Sequence, residues 1–300
     1  MEESNIQVFE NKATLDDTSP VSPALAFLDG RMYLAWKGDG NNHLNVMYSD
    51  DHGKTFGHKY TSPERSPDSP ALCTHNGHLY IAWKGDGNDN LNVAQVTVIG
   101  DEIRDFSKKV ILNDTSPVRP TLASLNDRLY IGWKGNGNNH LNVMYSDDHG
   151  KTFGHKYTSP ERSPNSPALC THNDKIYIAW KGDGNDNLNV AQVTVNGNII
   201  TGFSDKVILG DTSPVSPTLA SIRVLFKHLL CIAWKGNGND YLNVMYSDDH
   251  GKTFGHKYTS SERSPDSLAL CTHNGHLSHD YLYVAWKGDG NDNLNVAKVV

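Results

Sequence analysis

The chain has 300 residues, a formal net charge of −7, 37% hydrophobic and 20% charged residues, as expected for a soluble protein with many short strands and turns. The negative charge argues against nucleic acid as a partner, because phosphate binding needs a basic face. No apolar run approaches the length of a membrane span, so we predict no membrane insertion. The start, "MEESNIQVFENK", is acidic and lacks the apolar core of a signal peptide. We expect a protein that is cytoplasmic or released without a signal peptide.

The four cysteines do not form a disulfide pattern. Cys73, Cys170 and Cys271 occupy the same place in three "ALCTH" segments, which repeat symmetry keeps apart, and Cys231 stands alone. We predict small buried thiols in a reducing compartment.

One eleven-residue segment dominates the sequence. "WKGDGNDNLNV" occurs at 83–93, 180–190 and 286–296, with near copies at 36–46, 133–143 and 234–244. These segments contain all six tryptophans of the chain: Trp36, Trp83, Trp133, Trp180, Trp234 and Trp286. A period of about 40–50 residues is typical of one four-stranded propeller blade.

The strands of one period can be read in chain order. "SPALCTHNG" predicts a short apolar strand that ends in an Asn-Gly turn, and "HLYIAWKG" predicts an alternating second strand. "LNVMYSD" or "LNVAQVTV" follows as the third strand, and "KTFGHKYTSP" or "FSKKVILNDTSP" leads into a Pro-containing connector. No stretch offers ten residues of helical spacing, so the fold class is all-β.

Two kinds of blade alternate, so the repeated unit is a pair of blades. The sequence predicts a six-bladed β-propeller of four-stranded blades, built from three near-identical two-blade repeats. The predicted blades span about 19–65, 66–115, 116–162, 163–212, 213–263 and 264–300. Two insertions in the last repeat, near Leu225–Leu230 and Ser278–Tyr281, predict protruding hairpins.

The two ends of the chain predict how the ring closes. The sixth blade lacks a fourth strand, whereas "FENKATLDDTSP" (Phe9–Pro20) matches the fourth-strand segment "FSKKVILNDTSP" (Phe106–Pro117). We predict that residues 1–18 complete the last blade and leave no open edge. The chain is then a single propeller over 1–300, and we expect a monomer.

The odd blades carry a motif of a known family. "SDDHGKTF" at Ser49–Phe56, Ser146–Phe153 and Ser247–Phe254 resembles the Asp-box, Ser-x-Asp-x-Gly-x-Thr-Trp, with Phe in the last place. The chain therefore resembles the sialidase-like propellers with bacterial neuraminidase repeats, as a lectin-like member. Locally, we predict that Asp51, Asp148 and Asp249 accept N–H groups of their own turns.

The resemblance raises the question of sialidase activity. Sialidases hold a carboxylate with three arginines from non-equivalent positions and use a Tyr–Glu pair and an Asp. Here only Arg31 precedes the first motif, and Arg65, Arg162 and Arg263 are symmetry-equivalent, so they cannot converge on one substrate. A unique pair of carboxylates is also missing. We predict no enzyme and no catalytic residues, with an exo-glycosidase as the alternative.

The resemblance places the loop between the second and third strands on the face opposite the Asp-box, beside the connectors. "KGDGNDN" is this loop, and its Lys, Asp and Asn groups suit vicinal sugar hydroxyls. Two interpretations stay open: a binding loop, or one turn copied by duplication. The tryptophan beside it is either a packing anchor or a platform for a sugar. The predicted carbohydrate-binding residues are Trp36, Lys37, Asp39, Asn41, Trp83, Lys84, Asp86, Asn88, Trp133, Lys134, Asn136, Asn138, Trp180, Lys181, Asp183, Asn185, Trp234, Lys235, Asn237, Asn239, Trp286, Lys287, Asp289, Asn291, Arg65, Arg162 and Arg263.

Three further alternatives concern these residues. The three arginines bind a ligand or form inter-blade ion pairs with Glu64, Glu161 or Glu262. "DGNDN" has the first spacings of a calcium loop but no bidentate Glu, so we expect no cofactor, with calcium as the alternative. We predict a multivalent carbohydrate-binding protein, a lectin, whose partners are glycans or glycoconjugates. A sialidase-like glycoside hydrolase and a protein-interaction propeller are the alternatives.

Overall fold

The computed structural model describes residues 9–273, 275 and 279–299, and the described chain is all-β. No helix long and apolar enough to cross a bilayer occurs in these residues. The strands are β1 Phe9–Thr18, β2 Ala24–Leu28, β3 Arg31–Lys37, β4 His43–Ser49, β5 Gly57–Arg65, β6 Ala71–His75, β7 His78–Lys84, β8 Asn90–Ile99, β9 Glu102–Thr115, β10 Thr121–Leu125, β11 Arg128–Lys134, β12 His140–Ser146, β13 Gly154–Arg162, β14 Ala168–His172, β15 Lys175–Lys181, β16 Asn187–Asn196, β17 Ile199–Thr212, β18 Thr218–Val224, β19 Lys227–Lys235, β20 Tyr241–Ser247, β21 Gly255–Arg263, β22 Leu268–His273, β23 Tyr281–Lys287 and β24 Asn293–Val299.

The strands form six four-stranded antiparallel sheets arranged as a β-propeller, which confirms the predicted fold class. Blades 1 to 5 are β2–β5, β6–β9, β10–β13, β14–β17 and β18–β21 in order, and blade 6 contains β22, β23, β24 and β1. The first strand of each blade lies at the axis and packs against the first strands of both neighbours.

The N-terminal strand closes the ring as predicted. β1 pairs antiparallel with β24 through Phe9↔Val299, Thr14↔Asn295 and Thr18↔Asn293. The Ser19 N–H also donates to the Asp292 carbonyl at 3.0 Å. Residues 1–8 of the predicted closing segment lie outside the described residues. Closure removes the open sheet edge that the sixth blade would otherwise present.

The hydrophobic core consists of layers between neighbouring blades. One such layer joins Tyr33 and Tyr48 of blade 1 to Ile81 and Trp83 of blade 2. Because each blade is covered by a neighbour on both faces, strand residues of either parity are buried, and the six indole rings are only 0–1% exposed. The tryptophans are therefore packing anchors of the ring.

A lysine from the outer strand of each blade lies 5.2–5.4 Å from the indole ring of the same blade. Each of these lysines also forms an ion pair with a carboxylate of the preceding blade, so six ion pairs link the outer strands around the ring. The pairs are Lys12–Glu262, Lys59–Asp17, Lys109–Glu64, Lys156–Asp114, Lys206–Glu161 and Lys257–Asp211. Each pair is partly exposed and contributes at most about 1 kcal/mol to the contact between neighbouring blades.

Candidate functional site

The loop between the second and third strands of every blade is a turn closed by its own hydrogen bonds. In blade 2 the Gly85 N–H donates to the Asn90 carbonyl at 2.8 Å, and the Asn90 N–H donates to Asn88 Oδ1 at 3.0 Å. Asp89 adopts a φ of 57°, a conformation that Asn and Asp tolerate better than most residues. The same bonds recur in the other five loops.

The first glycine of each loop is required by the asparagine three residues later. A Cβ on Gly85 would lie only 2.3 Å from Asn88 Oδ1, and the equivalent distances in the other loops are 2.3–2.6 Å. The asparagine oxygen is thus inserted into its own turn. This assigns a turn-forming role to the oxygens of Asn41, Asn88, Asn138, Asn185, Asn239 and Asn291, and leaves their NH₂ groups at the exposed surface.

The predicted tryptophans of the loop are buried in the core, and most of the predicted lysines are paired with other groups of the protein. The buried indole rings leave no face for a sugar, so the interpretation as a ligand platform is wrong. Lys84 lies 2.6 Å from Asp89 and donates to the Pro117 carbonyl at 3.1 Å. Lys181, Lys235 and Lys287 pair with an Asp of their own loops in the same way. The loops of Lys37 and Lys134 have Asn42 and Asn139 in place of this Asp, and burial lowers the pKa of Lys134.

The residue between the two glycines projects into solvent in all six loops. These exposed residues are Asp39, Asp86, Asn136, Asp183, Asn237 and Asp289. Three of them also meet the preceding loop at 3.4 Å: Asn42 Nδ2 approaches Asp86, Asn139 Nδ2 approaches Asp183, and Asn136 Nδ2 approaches Asp89. The loops therefore form a continuous polar rim on one face.

Three junctions on this rim contain an exposed arginine beside an aromatic ring. Arg65 Nη2 lies 3.2 Å from His43 Nε2, and Arg162 Nη2 lies 3.4 Å from His140 Nε2. Arg263 donates to the Tyr241 hydroxyl at 2.8 Å and lies 4.5 Å from the ring centroid. We call these junctions, between blades 1 and 2, 3 and 4, and 5 and 6, the arginine seams.

The arginines do not form the predicted ion pairs with the glutamates next to them. Glu64, Glu161 and Glu262 pair instead with the lysines of the following blades. In the described residues none of the three arginines has a carboxylate within 4.0 Å. That alternative was wrong because a glutamate and its neighbour in a strand point to opposite faces.

A carboxylate of the next blade completes each arginine seam. Asp86 and Asp183 reach the loop residue next to His43 and His140, respectively. At the third seam the Tyr241 hydroxyl raises the pKa of Arg263, and the charge of Asp289 raises it further. Each arginine seam therefore combines a guanidinium, an aromatic ring and a carboxylate from two blades.

The other three junctions have the same backbone but different side chains. Thr115, Thr212 and Thr18 replace the arginines, and Asn90, Asn187 and Asn293 replace the aromatic residues. We call these junctions the threonine seams. At the threonine seams, the exposed loop residue of the next blade is Asn136, Asn237 or Asp39. They provide natural controls for the arginine seams.

The opposite face carries the "SDDHGKTF" turns. Asp51 accepts the Lys54 and Thr55 N–H groups at 3.0 and 2.9 Å and the Thr55 hydroxyl at 2.6 Å. Although burial acts to raise it, these bonds lower the pKa of Asp51 to about 2, and the pKa of Asp148 to about 2. The predicted turn role of Asp51, Asp148 and Asp249 is confirmed. Arg31 also lies at this end, paired with Asp50 and Asp101.

The axial mouth on the loop side breaks the repeat symmetry, which sequence reasoning missed. Arg119 occupies a connector position that is Ser22, Ser69, Ser166, Ser216 or Ser267 elsewhere, and its Nη1 donates to Ser22 Oγ at 2.8 Å. The Arg119 N–H donates to Asp68 at 2.8 Å, and the Ser22 N–H donates to Asp266 at 2.9 Å. Burial raises the pKa of Asp68. The sequence did contain a signal of this asymmetry: "SPVRP" at 116–120 differs from the "SPVSP" copies at 19–23 and 213–217.

The structure offers no ready metal site within its described ranges. Those ranges contain no group of three or more His, Cys, Asp or Glu side chains arranged to hold a metal ion. In the calcium-like spacing, the Asn88 oxygen already accepts a backbone N–H.

Comparisons with known proteins support the architecture. No protein-family model matches the chain, and no curated protein matches its sequence. Among solved structures, it is similar to a Hadza microbial sialidase (15% identity, TM-score 0.67, 93% of this chain and 66% of that chain). It is also similar to a mutant Trypanosoma rangeli sialidase displaying trans-sialidase activity (15%, 0.65, 98% and 60%). A third match is AofleA from Arthrobotrys oligospora (8%, 0.70, 95% and 85%).

The chain thus spans less than two thirds of the length of the two sialidases and most of the length of AofleA. At these identities the likeness concerns the fold. The chain has the fold of the sialidase-like six-bladed propellers, as the resemblance implied.

Proposed function

We propose that this protein is a multivalent carbohydrate-binding protein whose sites are the three arginine seams. The observation that carries the proposal is the threefold occurrence of an exposed arginine that has no carboxylate ion pair in the described residues. Each lies beside an aromatic ring and near a carboxylate of the next blade, all on one face. An arginine with unused donors at such a junction is available to a ligand.

The chemistry of one seam suits a sugar. The planar guanidinium presents parallel N–H donors, which match two adjacent hydroxyl oxygens. Asp86, Asp183 or Asp289 accepts from a hydroxyl, and the His or Tyr ring offers an apolar surface to the C–H groups of a pyranose. The six-loop site predicted from the sequence is thereby narrowed to three junctions.

Two similarities are in agreement with this proposal. Structures with the same fold include sialidases, enzymes named for a sugar substrate. They also include an AofleA variant in which three arginines are replaced by alanine (9% identity, TM-score 0.67, 95% of this chain and 86% of that chain). Repetition compensates for weak single sites, since simultaneous engagement adds about 10²–10⁴-fold in avidity.

The test compares glycan binding by variants of the arginine seams with glycan binding by variants of the threonine seams. A glycan array first identifies a ligand for the wild type, and that glycan is then titrated by calorimetry. Changing Arg65, Arg162 and Arg263 together to Ala should weaken binding by at least about 10-fold, because each charge-assisted hydrogen bond contributes about 1.5–3 kcal/mol.

The matched control replaces Thr18, Thr115 and Thr212 with Ala at the threonine seams. It should bind as the wild type does, and the wild-type stoichiometry should be three sites per chain. Unchanged affinity of the arginine variant would refute the proposed sites. A glycan array without any bound glycan would instead favour the protein-interaction propeller.

A second candidate function rests on the axial mouth. Arg119 lines a cavity of about 120 Å³ there, and Asp68 and Asp266 accept the N–H groups of Arg119 and Ser22 beside it. Such an arrangement favours a single small ligand and a sialidase-like glycoside hydrolase, since a raised carboxyl pKa suits a general acid. Turnover of a fluorogenic sialoside that disappears in Arg119→Ser, with intact folding, would support the hydrolase. Absence of turnover by the wild type would refute this second candidate function.

A further inference from the structure

The hairpin between β18 and β19 has a turn unlike the other described inner hairpins. Those turns are Asp29–Gly30, Asn76–Gly77, Asn126–Asp127 and Asn173–Asp174, with φ values of 46–81° at both positions. Such turns favour Asn, Asp and Gly. In the fifth blade the turn is Leu225–Phe226, and Leu225 has a φ of 56°. A bulky residue with a positive φ is energetically unfavourable. We therefore infer that Leu225 has a role other than stabilising the fold.

The turn is also the most exposed apolar feature of the described surface. Phe226 is 97% exposed and Leu225 is 54% exposed. Ile222, Val224 and Leu229 lie partly buried behind them. We call Leu225 and Phe226 the apolar tip. An aromatic ring that projects from a turn in this way is typical of a site that contacts an apolar partner, such as a protein pocket or a lipid bilayer.

Two cationic side chains, Arg223 and Lys227, flank the apolar tip, although the whole chain has a net charge of −7. Arg223 Nη2 lies 3.7 Å from Asp280 Oδ1, and the Arg223 side chain is 43% exposed. The side chain of Lys227 is 69% exposed and lies 2.9 Å from Asp248, which is 52% exposed, so it can exchange this partner for another anion.

The hairpin is braced by the second insertion of the last repeat. The Asp280 N–H donates to the Arg223 carbonyl at 2.8 Å, and the Asp280 carboxylate accepts the Arg223 N–H at 2.8 Å. Val224 forms a bridge with His279. Both insertions occur only in this repeat and contact each other. The apolar tip is therefore held out from the propeller on a stiffened support.

The geometry points to a peripheral lipid-binding tip, in which Leu225 and Phe226 enter the interface of a bilayer that contains anionic lipids. The apolar pair reaches the boundary between headgroups and acyl chains, and Arg223 and Lys227 contact lipid phosphates behind it. A partner protein would need an apolar pocket with acidic side chains at two matching positions, whereas an anionic bilayer supplies an apolar phase and phosphates without a specific match. Two side chains provide weak, reversible binding and no spanning of the bilayer.

The placement gives this contact a direction. The β18–β19 turn lies at the same end of its blade as the "SDDHGKTF" turn, whereas the arginine seams lie at the opposite end. A protein resting on a membrane through the apolar tip presents the seams away from that membrane. The inference does not depend on what the seams bind.

The test is flotation of the full chain with glycan-free vesicles. One set is phosphatidylcholine alone, and the other contains equal parts of phosphatidylcholine and phosphatidylserine. The variant Leu225→Asn with Phe226→Gly copies the Asn76–Gly77 turn. It should reduce the bound fraction on mixed vesicles by at least about 10-fold, given the apolar surface removed. Its melting temperature should not fall, because the new turn suits the positive φ.

Two control variants keep the result specific. Ile111→Ser and Ile208→Ser remove other apolar side chains that are 57% and 60% exposed and lie near the opposite, loop end of their blades, and they should leave binding unchanged. Lys227→Glu should weaken binding to mixed vesicles more than to phosphatidylcholine alone. Equal flotation of the tip variant and the wild type would overturn the inference, as would absence of wild-type binding to both vesicles. Self-association of the wild type, lost in the tip variant, would also overturn it and identify a second copy as the occupant.

Discussion

The six KGxGN loops on one face and the three "SDDHGKTF" turns on the other are built by the same local chemistry. In the loop, the Asn88 oxygen accepts an N–H two residues on. In the turn, Asp51 accepts N–H groups three and four residues on. Both motifs are repeated because their side chains satisfy their own backbone. Exact repetition is therefore accounted for by the turn chemistry, and by itself it does not decide whether the loop binds a ligand.

The residues free for a ligand differ between the two kinds of blade. Arg65 and His43 have no equivalent in the even blades, where Thr115 and Asn90 occupy the same register positions. The useful contrast is thus between the arginine seams and the threonine seams, which share a backbone and differ in charge and aromatic surface.

The largest effect is expected from removing residues 1–18, because the strand Phe9–Thr18 closes the ring that supports both faces. Blade 6 would lose the strand Phe9–Thr18, and the Asp292 carbonyl would lose its Ser19 donor. We expect aggregation, or a loss comparable with the ~5–15 kcal/mol stability of a whole domain. Thermal unfolding measures this. A truncated chain that melts like the full chain would disprove the closure.

The next largest effect is expected from changing the loop asparagines. This variant tests whether these side chains stabilise the turn or bind a ligand. The six-fold variant replaces Asn41, Asn88, Asn138, Asn185, Asn239 and Asn291 with Ala. Each loses one turn bond of about 1 kcal/mol, so we expect about 6 kcal/mol of destabilisation in denaturant unfolding. The control changes the six exposed residues between the glycines, Asp39, Asp86, Asn136, Asp183, Asn237 and Asp289, and should be much milder. Full stability with lost glycan binding would return the loops to the site.

A single change tests the same chemistry on the opposite face. Asp148→Ala leaves the Lys151 and Thr152 N–H donors without their acceptor and should cost about 1–3 kcal/mol. The neighbouring Asp147→Ala is the control and should be close to neutral. Glycan affinity should not change in either protein, since both lie away from the seams. Reduced affinity of Asp148→Ala at unchanged stability would move the binding face.

Acid should weaken the contacts between two-blade repeats. His172 is buried, 2.8 Å from Ser221 Oγ and 3.4 Å from His250 Nδ1, and burial, with the charges of His250 and His228, lowers its pKa to about 4. Because the unfolded pKa is about 6.5, the unfolded chain binds the proton first, and about 1–3 kcal/mol of stability is lost as pH falls from about 6.5 to 4. Melting temperatures of wild type and His172→Asn over this range check it. Equal slopes would contradict this assignment.

The smallest effect is expected from metal removal. A chelator should change neither the melting temperature nor glycan binding, because the loop oxygens are engaged in turn bonds. Calorimetric titration of the chelated protein with calcium provides the check. Saturable binding of calcium with a rise in melting temperature would establish a metal loop that the turn bonds do not prevent.

The sequence by itself determined the period, the all-β class, the ring of six and the closing strand. It also determined the "SDDHGKTF" turns, because a turn of five or six residues is specified by side chains that reach their own backbone. The alternation in "LYIAWKG" already favoured burial of Trp83, since both faces of a blade are covered by neighbours.

Only the tertiary structure decided which residues share a site. The contacts that matter join residues 44 to 51 positions apart, such as Asn42 with Asp86 and Asp68 with Arg119. They also reverse one expectation, since Glu64 pairs with Lys109 rather than accompanying Arg65. Residues that are far apart within one repeat meet the next blade once the ring closes. The pairing of side chains across blades therefore depends on the ring geometry, which no single repeat contains.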